Sequence, residues 1–221
     1  MSYSILIISA LLALLAIFLN LSVIPHVMDK TLKRIVITLL LFTSMRYVAL
    51  IIYGDSPTYE LLQVFRYFYF ASSIGLTMTT LLAIWYVLPI LRKRFKSYMV
   101  PLIFLPWNLF YIYVIVKQPT EIIKGNQFGY QLQLIDRFPF YLSIVQGSLV
   151  TIIILICLYG IYKYKHLQIR VQLIFIIAAQ VLLALDGISF SMSLPRVFMP
   201  FTITEAFGFA ATYYAYKKAV K

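Results

Sequence analysis

The chain is a succession of apolar runs, each long enough for a helix of about 20 residues, the length that crosses the hydrocarbon of a bilayer. Backbone N–H and C=O groups find no water there, so such runs fold as helices that satisfy their hydrogen bonds internally. Composition agrees: of 221 residues, 62% are hydrophobic, 17% aromatic and only 12% charged, with a mean hydropathy of +0.91. The expectation is an all-α, polytopic membrane protein, one domain over residues 1–221 with seven transmembrane helices and almost nothing else.

The pattern predicts helix 1 over Tyr3 to Ile24, helix 2 over Ile35 to Tyr53, helix 3 over Leu61 to Leu88 and helix 4 over Tyr98 to Val116. A looser segment runs to Pro139. Helix 5 follows over Phe140 to Tyr162, helix 6 over Val171 to Met192 and helix 7 over Val197 to Tyr214. Ser191, Ser193, Pro195, Arg196 and Pro200 mark the break between the last two; without it the count falls to six.

Basic residues set the orientation, because Lys and Arg in short loops stay on the cytoplasmic side. One set of alternate loops holds Lys30, Lys33 and Arg34; Arg92, Lys93, Arg94 and Lys96; Lys163, Lys165 and Arg170; and Lys217, Lys218 and Lys221. The other holds Lys117, Lys124, Arg137 and Arg196 beside Asp55, Glu60, Glu121 and Asp136. The N-terminus is therefore expected outside and the C-terminus in the cytoplasm. Basic loops facing anionic membrane lipid account for most of the net charge of +12, and no nucleic-acid partner is expected. No basic residue precedes the first apolar run, so helix 1 reads as a retained span and not a cleaved signal peptide. The chain reads as a multi-pass protein of a cell membrane of bacterial type.

Four charged residues interrupt the apolar runs: Arg46, Arg66, Asp186 and Glu205. A charge near the bilayer centre costs roughly 2.5 to 3.5 kcal/mol on insertion scales, so these side chains are expected to face the interior and find partners. With the topology above, Arg46 is about seven residues below the outer end of helix 2, or roughly 10 Å. Arg66, Asp186 and Glu205 fall in the same outer half, so two cations and two carboxylates can neutralise one another if helices 2, 3, 6 and 7 converge. At 100° per residue, Gln63, Arg66, Ser73, Thr77 and Thr80 share about a third of helix 3. Helix 7 adds Thr202 and Thr212, and helix 5 adds Ser143, Gln146 and Ser148. Together these outline a polar ligand-binding cluster of Arg46, Arg66, Asp186, Glu205, Gln63, Ser73, Thr77 and Gln146, open to the outside. The competing reading is that buried ion pairs and hydroxyls hold helices together, with Arg66 snorkelling to the surface. Tyr53, Trp85, Tyr86, Tyr98, Tyr162, Tyr213 and Tyr214 near span ends suit interfacial belts.

Catalytic patterns are absent from the sequence. Its two histidines, His26 and His166, lie at cytoplasmic helix ends and form no His-Glu-x-x-His pair. There is no Gly-x-Ser-x-Gly elbow, and the single cysteine, Cys157, allows neither an intramolecular disulfide nor a cysteine-built metal site. Helix 7 has no lysine between Val197 and Tyr214 to carry retinal. The expectation is a protein that is not an enzyme and needs no cofactor or metal.

The seven-span layout, the turn Gly54-Asp55-Ser56-Pro57, Arg66-Tyr67 early in helix 3, Arg92-Lys93-Arg94 after it and Arg170-Val171-Gln172 opening helix 6 are similar to one known arrangement. It resembles the seven-helix sensor region at the N-terminus of some bacterial histidine kinases. The resemblance implies a sensor for a small molecule, lipid-like ligand or peptide on the extracytoplasmic side. These 221 residues contain no phosphoacceptor histidine helix or ATP-binding domain, so a cytoplasmic or membrane signalling partner is expected. A small transporter or channel, with Asp186 and Glu205 relaying protons, and a membrane interaction or immunity-type protein are the alternatives; animal heptahelical receptors fit less well, since helix 3 lacks Asp-Arg-Tyr and helix 7 lacks Asn-Pro-x-x-Tyr.

Cysteine labelling tests the topology: residues near Lys93, His166 and Lys218 should be reached from the cytoplasm only, and those near Asp55 and Gln127 from outside. Labelling of position 218 from outside overturns the orientation.

Overall fold

Helix 3 does not run unbroken. In a computed structural model, which describes residues 3–27, 29–55, 58–124, 129–191 and 202–220, α1 spans Tyr3–Val23 and α2 Lys30–Gly54. The third segment is divided into α3 (Tyr59–Phe65), a tight 3-10 turn at Arg66–Phe68 and α4 (Ala71–Val87). Five of the six residues from Phe65 to Phe70 are aromatic, side chains that lose rotamer freedom against a preceding helical turn. The short helices α5 (Pro89–Arg94) and α6 (Met99–Ile103) follow, then α7 (Leu105–Lys117). The expected helix 4 is thus split at Phe104, because Pro106 has no N–H to offer the carbonyl one turn back. After the strands β1 and β2 come α8 (Phe138–Lys163), α9 (Leu167–Ser191) and α10 (Thr202–Val220). The expected break around Ser193, Pro195, Arg196 and Pro200 lies outside the described residues.

About 84% of the structure is helical, and five helical segments are long and apolar enough to span a membrane: Tyr3–His26, Lys30–Gly54, Tyr59–Val87, Phe138–Lys163 and Leu167–Gly187. Large apolar side chains cover the outside, among them Leu11, Leu15 and Phe18 on α1, Leu155 and Leu158 on α8, and Ile174 and Leu185 on α9. A water-soluble monomer does not expose apolar surface on that scale, and the fold is compatible with a multi-pass membrane protein.

The segment expected to be loose holds an antiparallel hairpin, β1 (Thr120–Lys124) with β2 (Tyr130–Leu134), in the register Thr120 to Leu134. On β2, Leu132 and Leu134 are buried and the Gln133 between them is exposed, the alternation of a strand with one covered face. Leu132 packs with Tyr53, Leu62 and the half-buried Phe65 and Tyr69 into a small second core. Gly129 brings the hairpin onto the end of α2. Its φ is +57°, and a Cβ there would collide with the backbone carbonyls of Tyr53 and Gly54.

In the main bundle, α10 packs against α1, α4 and α9, α2 against α1 and α4, and α8 against α9. Ala10, Ala13 and Ala16 are the buried face of α1, small residues that let helix backbones approach. Polar groups stitch α10 in place. Asn20 Nδ2 donates to the Phe209 carbonyl at 2.8 Å and Asn20 Oδ1 accepts from Thr212 at 3.2 Å. Gln172 on α9 donates to the Ala215 carbonyl at 2.8 Å, and the Tyr216 hydroxyl donates to the Thr79 carbonyl at 3.2 Å. At the end of the bundle rich in basic residues, Asp29 caps α2 through the Leu32 N–H at 2.7 Å and accepts from Ser97, so one carboxylate starts a helix and anchors its turn.

α2 approaches α4 closely where Gly75 faces Thr43, and a Cβ at Gly75 would overlap the threonine hydroxyl. Gly75→Leu should force the two helices apart and cost roughly 1–3 kcal/mol or more, read as a lower thermal midpoint in detergent. Gly147→Ala, where a Cβ meets nothing within 4 Å, should leave that midpoint unchanged or raised.

Candidate functional site

A carboxylate in an apolar bundle needs donors from neighbouring helices, and Glu205 has three. It lies in the first turn of α10, where the helix dipole favours an anion. Its Oε2 accepts from Arg46 Nε at 3.1 Å and from the Tyr47 hydroxyl at 2.8 Å, both on α2; its Oε1 accepts from the Ser72 hydroxyl on α4 at 2.7 Å. Both members of the ion pair are buried, each side chain 7% exposed. Arg46 has a further partner because of the turn in the third segment. The Ser73 N–H bonds the Phe70 carbonyl instead of the Tyr69 carbonyl, and Arg46 Nη1 donates to the oxygen so released. The guanidinium also lies 5.7 Å from the centre of the Tyr69 ring, a cation–π distance. Arg46 Nη2 makes no hydrogen bond among the described residues.

The expectation of one neutral layer of four charges is corrected here. Asp186, half-buried on α9, accepts from the Thr204 hydroxyl at 2.9 Å, one residue before Glu205 in the chain. Arg66 turns to the hairpin: its Nε donates to Thr120 Oγ1 at 3.0 Å and its Nη2 to the Gln118 carbonyl at 3.0 Å. Gln63 joins Arg66, with its Oε1 3.4 Å from Arg66 Nη1, and donates to the Tyr59 hydroxyl. The 3-10 turn makes the 100° rule fail between Arg66 and Ser73, so the polar stripe divides: Arg66, with Gln63 against it, holds the hairpin, while Ser73 and Thr77 face the bundle interior.

That interior contains a cavity of about 290 Å³. Arg46, Leu50 and Glu205 form one wall, Tyr69 to Thr77 of the third segment a second, and Ser143, Gln146, Gly147 and Val150 of α8 a third. Gln180, Leu183, Ala184 and Gly187 of α9 complete the sides, and Gln131, Leu132 and Leu134 of β2 lie across one end. The space exists because α8 leans on α9 and meets α7 through side chains: the Tyr111 hydroxyl donates to Gln146 Oε1, and Trp107 Nε1 to Ser148 Oγ at 3.0 Å. Of the eight residues expected to form the cluster, Arg46, Glu205, Ser73, Thr77 and Gln146 line this cavity; Arg66, Asp186 and Gln63 do not.

Several site residues escaped the reading of the sequence. Tyr47 and Ser72, which complete the shell of Glu205, are of types common in any span. Gln180 did carry a signal, since it is a lone amide in the middle of an apolar run, 2% exposed in the fold. It lines the cavity and its side chain makes no hydrogen bond among the described residues. Among those residues no group of three His, Cys, Asp or Glu side chains is placed to hold a metal ion. The arrangement offers a compensated carboxylate, unused donors on Arg46 and Gln180, and apolar walls. No family model matches the chain, and no curated protein matches it either.

Arg46→Met should leave the Glu205 charge buried without its counter-ion and cost about 3–5 kcal/mol, whereas Arg46→Met with Glu205→Leu should recover most of that loss. Thermal denaturation in detergent reads both; equal losses for the single and double variants would rule out a coupled pair.

Proposed function

We propose that this chain is a membrane receptor or regulatory sensor subunit that takes a small ligand into the cavity beside Arg46 and Glu205 and acts through a partner. The observation that carries this reading is that the cavity wall contains the ion pair and that the pair includes α10, the helix packed against α1, α4 and α9. A ligand that competes for Arg46 changes the donors around Glu205. It thereby bears on the seating of α10, which reaches the basic end at Lys217 and Lys218. A ligand shifts such an equilibrium only through a difference in affinity between two arrangements, and an exchangeable ion pair offers that difference.

A conduit for ions or solutes is less well served by this geometry. The cavity lining stops at Thr77, Val150 and Gln180, and α4 is buried at every residue from Gly75 to Val87, leaving a packed segment between the cavity and Arg92. With the hairpin end extracytoplasmic, the basic ends of α5 and α8 present the changed geometry to a cytoplasmic or membrane partner.

Spin labels at Lys93 and Lys163, both exposed, report the separation of the α4 and α8 walls. In lipid nanodiscs, Glu205→Gln should alter the ratio of two distance populations by about tenfold, the equivalent of roughly 1.4 kcal/mol between arrangements. One unchanged population in wild type and variant, with both folded, would reduce the pair to a helix tether.

A further inference from the structure

The cavity has features that specify the chemistry of its occupant. Two of its lining residues are exposed, Ser143 and Gly147, and they lie one helical turn apart on α8. The hairpin end is covered by the buried Leu132 and Leu134. Ser143 and Gly147 mark an opening along α8, and the flanks of α7 and α8 carry exposed Leu109, Ile112, Phe140 and Ile144. Flanks of that kind face acyl chains, not water. Inside, the polar groups without partners include hydrogen-bond donors: Arg46 Nη2, and the Nε2 of the Gln180 amide, whose residue is nine-tenths buried and lines the space. The Glu205 charge is balanced there by Arg46, and its oxygens also accept from Tyr47 and Ser72, so an arriving anion meets a paired carboxylate.

From this we propose that the cavity binds a single-chain amphiphile with an anionic head, which enters sideways from the bilayer between α7 and α8 and sets its head against Arg46 and Gln180. The volume of about 290 Å³ has room for one acyl chain. This assignment rests on the receptor reading of the same cavity and supplies its ligand class. Gly147 is the portal residue: a Cβ there meets nothing within 4 Å, so a side chain added at this position starts in open space beside the opening.

The test uses the full chain in nanodiscs with a dodecanoic acid bearing an alkyl diazirine, its methyl ester, and mass-spectrometric mapping of the cross-links. The acid should label peptides containing Leu142, Val150 and Leu183, unlabelled dodecanoate should compete, and the ester should label about tenfold less, as expected when a charge-assisted hydrogen bond is lost. Gly147→Trp should abolish the labelling and Gly147→Ala retain it. Equal labelling by acid and ester, labelling of Gly147→Trp at the level of Gly147→Ala, or cross-links confined to lipid-facing residues overturns the proposal. The spin-label distances separate this from the receptor reading. Cavity labelling without any distance response to dodecanoate keeps the amphiphile site and removes the receptor; a distance response to Glu205→Gln without cavity labelling does the reverse.

Discussion

A carboxylate held in an apolar bundle cannot be satisfied by its own helix, and Glu205 makes this requirement organise three. Its donors come from Arg46 and Tyr47 on α2 and from Ser72 on α4, while its backbone belongs to α10. Burying the pair is expensive, and its attraction offsets the cost only with near-complete hydrogen bonding, which the tyrosine and serine hydroxyls help to provide. The interaction selects a single arrangement: a slip of α10 by one residue would swing Glu205 about 100° away from both donor helices.

The 3-10 turn at Arg66–Phe68 links the charge pair to the hairpin. Winding the chain more tightly releases the Tyr69 carbonyl for Arg46 and directs Arg66 to Gln118 and Thr120 at the base of β1. The Tyr69 ring, 5.3 Å from that of Tyr53, belongs to the small core beneath β2. A change in the donors of Glu205 is thus one side chain from Tyr69 and two from the strand that covers the cavity. Arg46 and the hairpin are mechanically adjacent although Arg46 and Thr120 are far apart in sequence.

The features legible in the sequence were those with large energetic penalties. Arg46 and Glu205 stood out because an unpaired charge in hydrocarbon is costly, and the apolar runs stood out for their length. Which acid would meet Arg46 was not legible, since Asp186 and Glu205 lie at similar depth on neighbouring spans; the side chains around each decide it. The turn in the third segment escaped because no proline or glycine marks it, and its driving contacts, Arg66 with Thr120 and Arg46 with the Tyr69 carbonyl, are long-range. The hairpin escaped because Thr120–Lys124 and Tyr130–Leu134 are short and mixed in character. Asn20, Tyr47 and Ser72 carry ordinary residue types whose roles depend on what faces them.

The position of α10 in the fold bears on how the protein is made. Domains and helices emerge in order during synthesis, at about 5–20 residues per second. Arg46 and Asn20, on α2 and α1, are therefore made well before the helix that supplies Glu205, the Phe209 carbonyl and Thr212. Until then the nascent bundle carries a guanidinium and an amide without their final partners. The arrival of α10 supplies the carboxylate for one and the carbonyl for the other in a single step, so the pairing of α1 and of α2 with α10 is coupled.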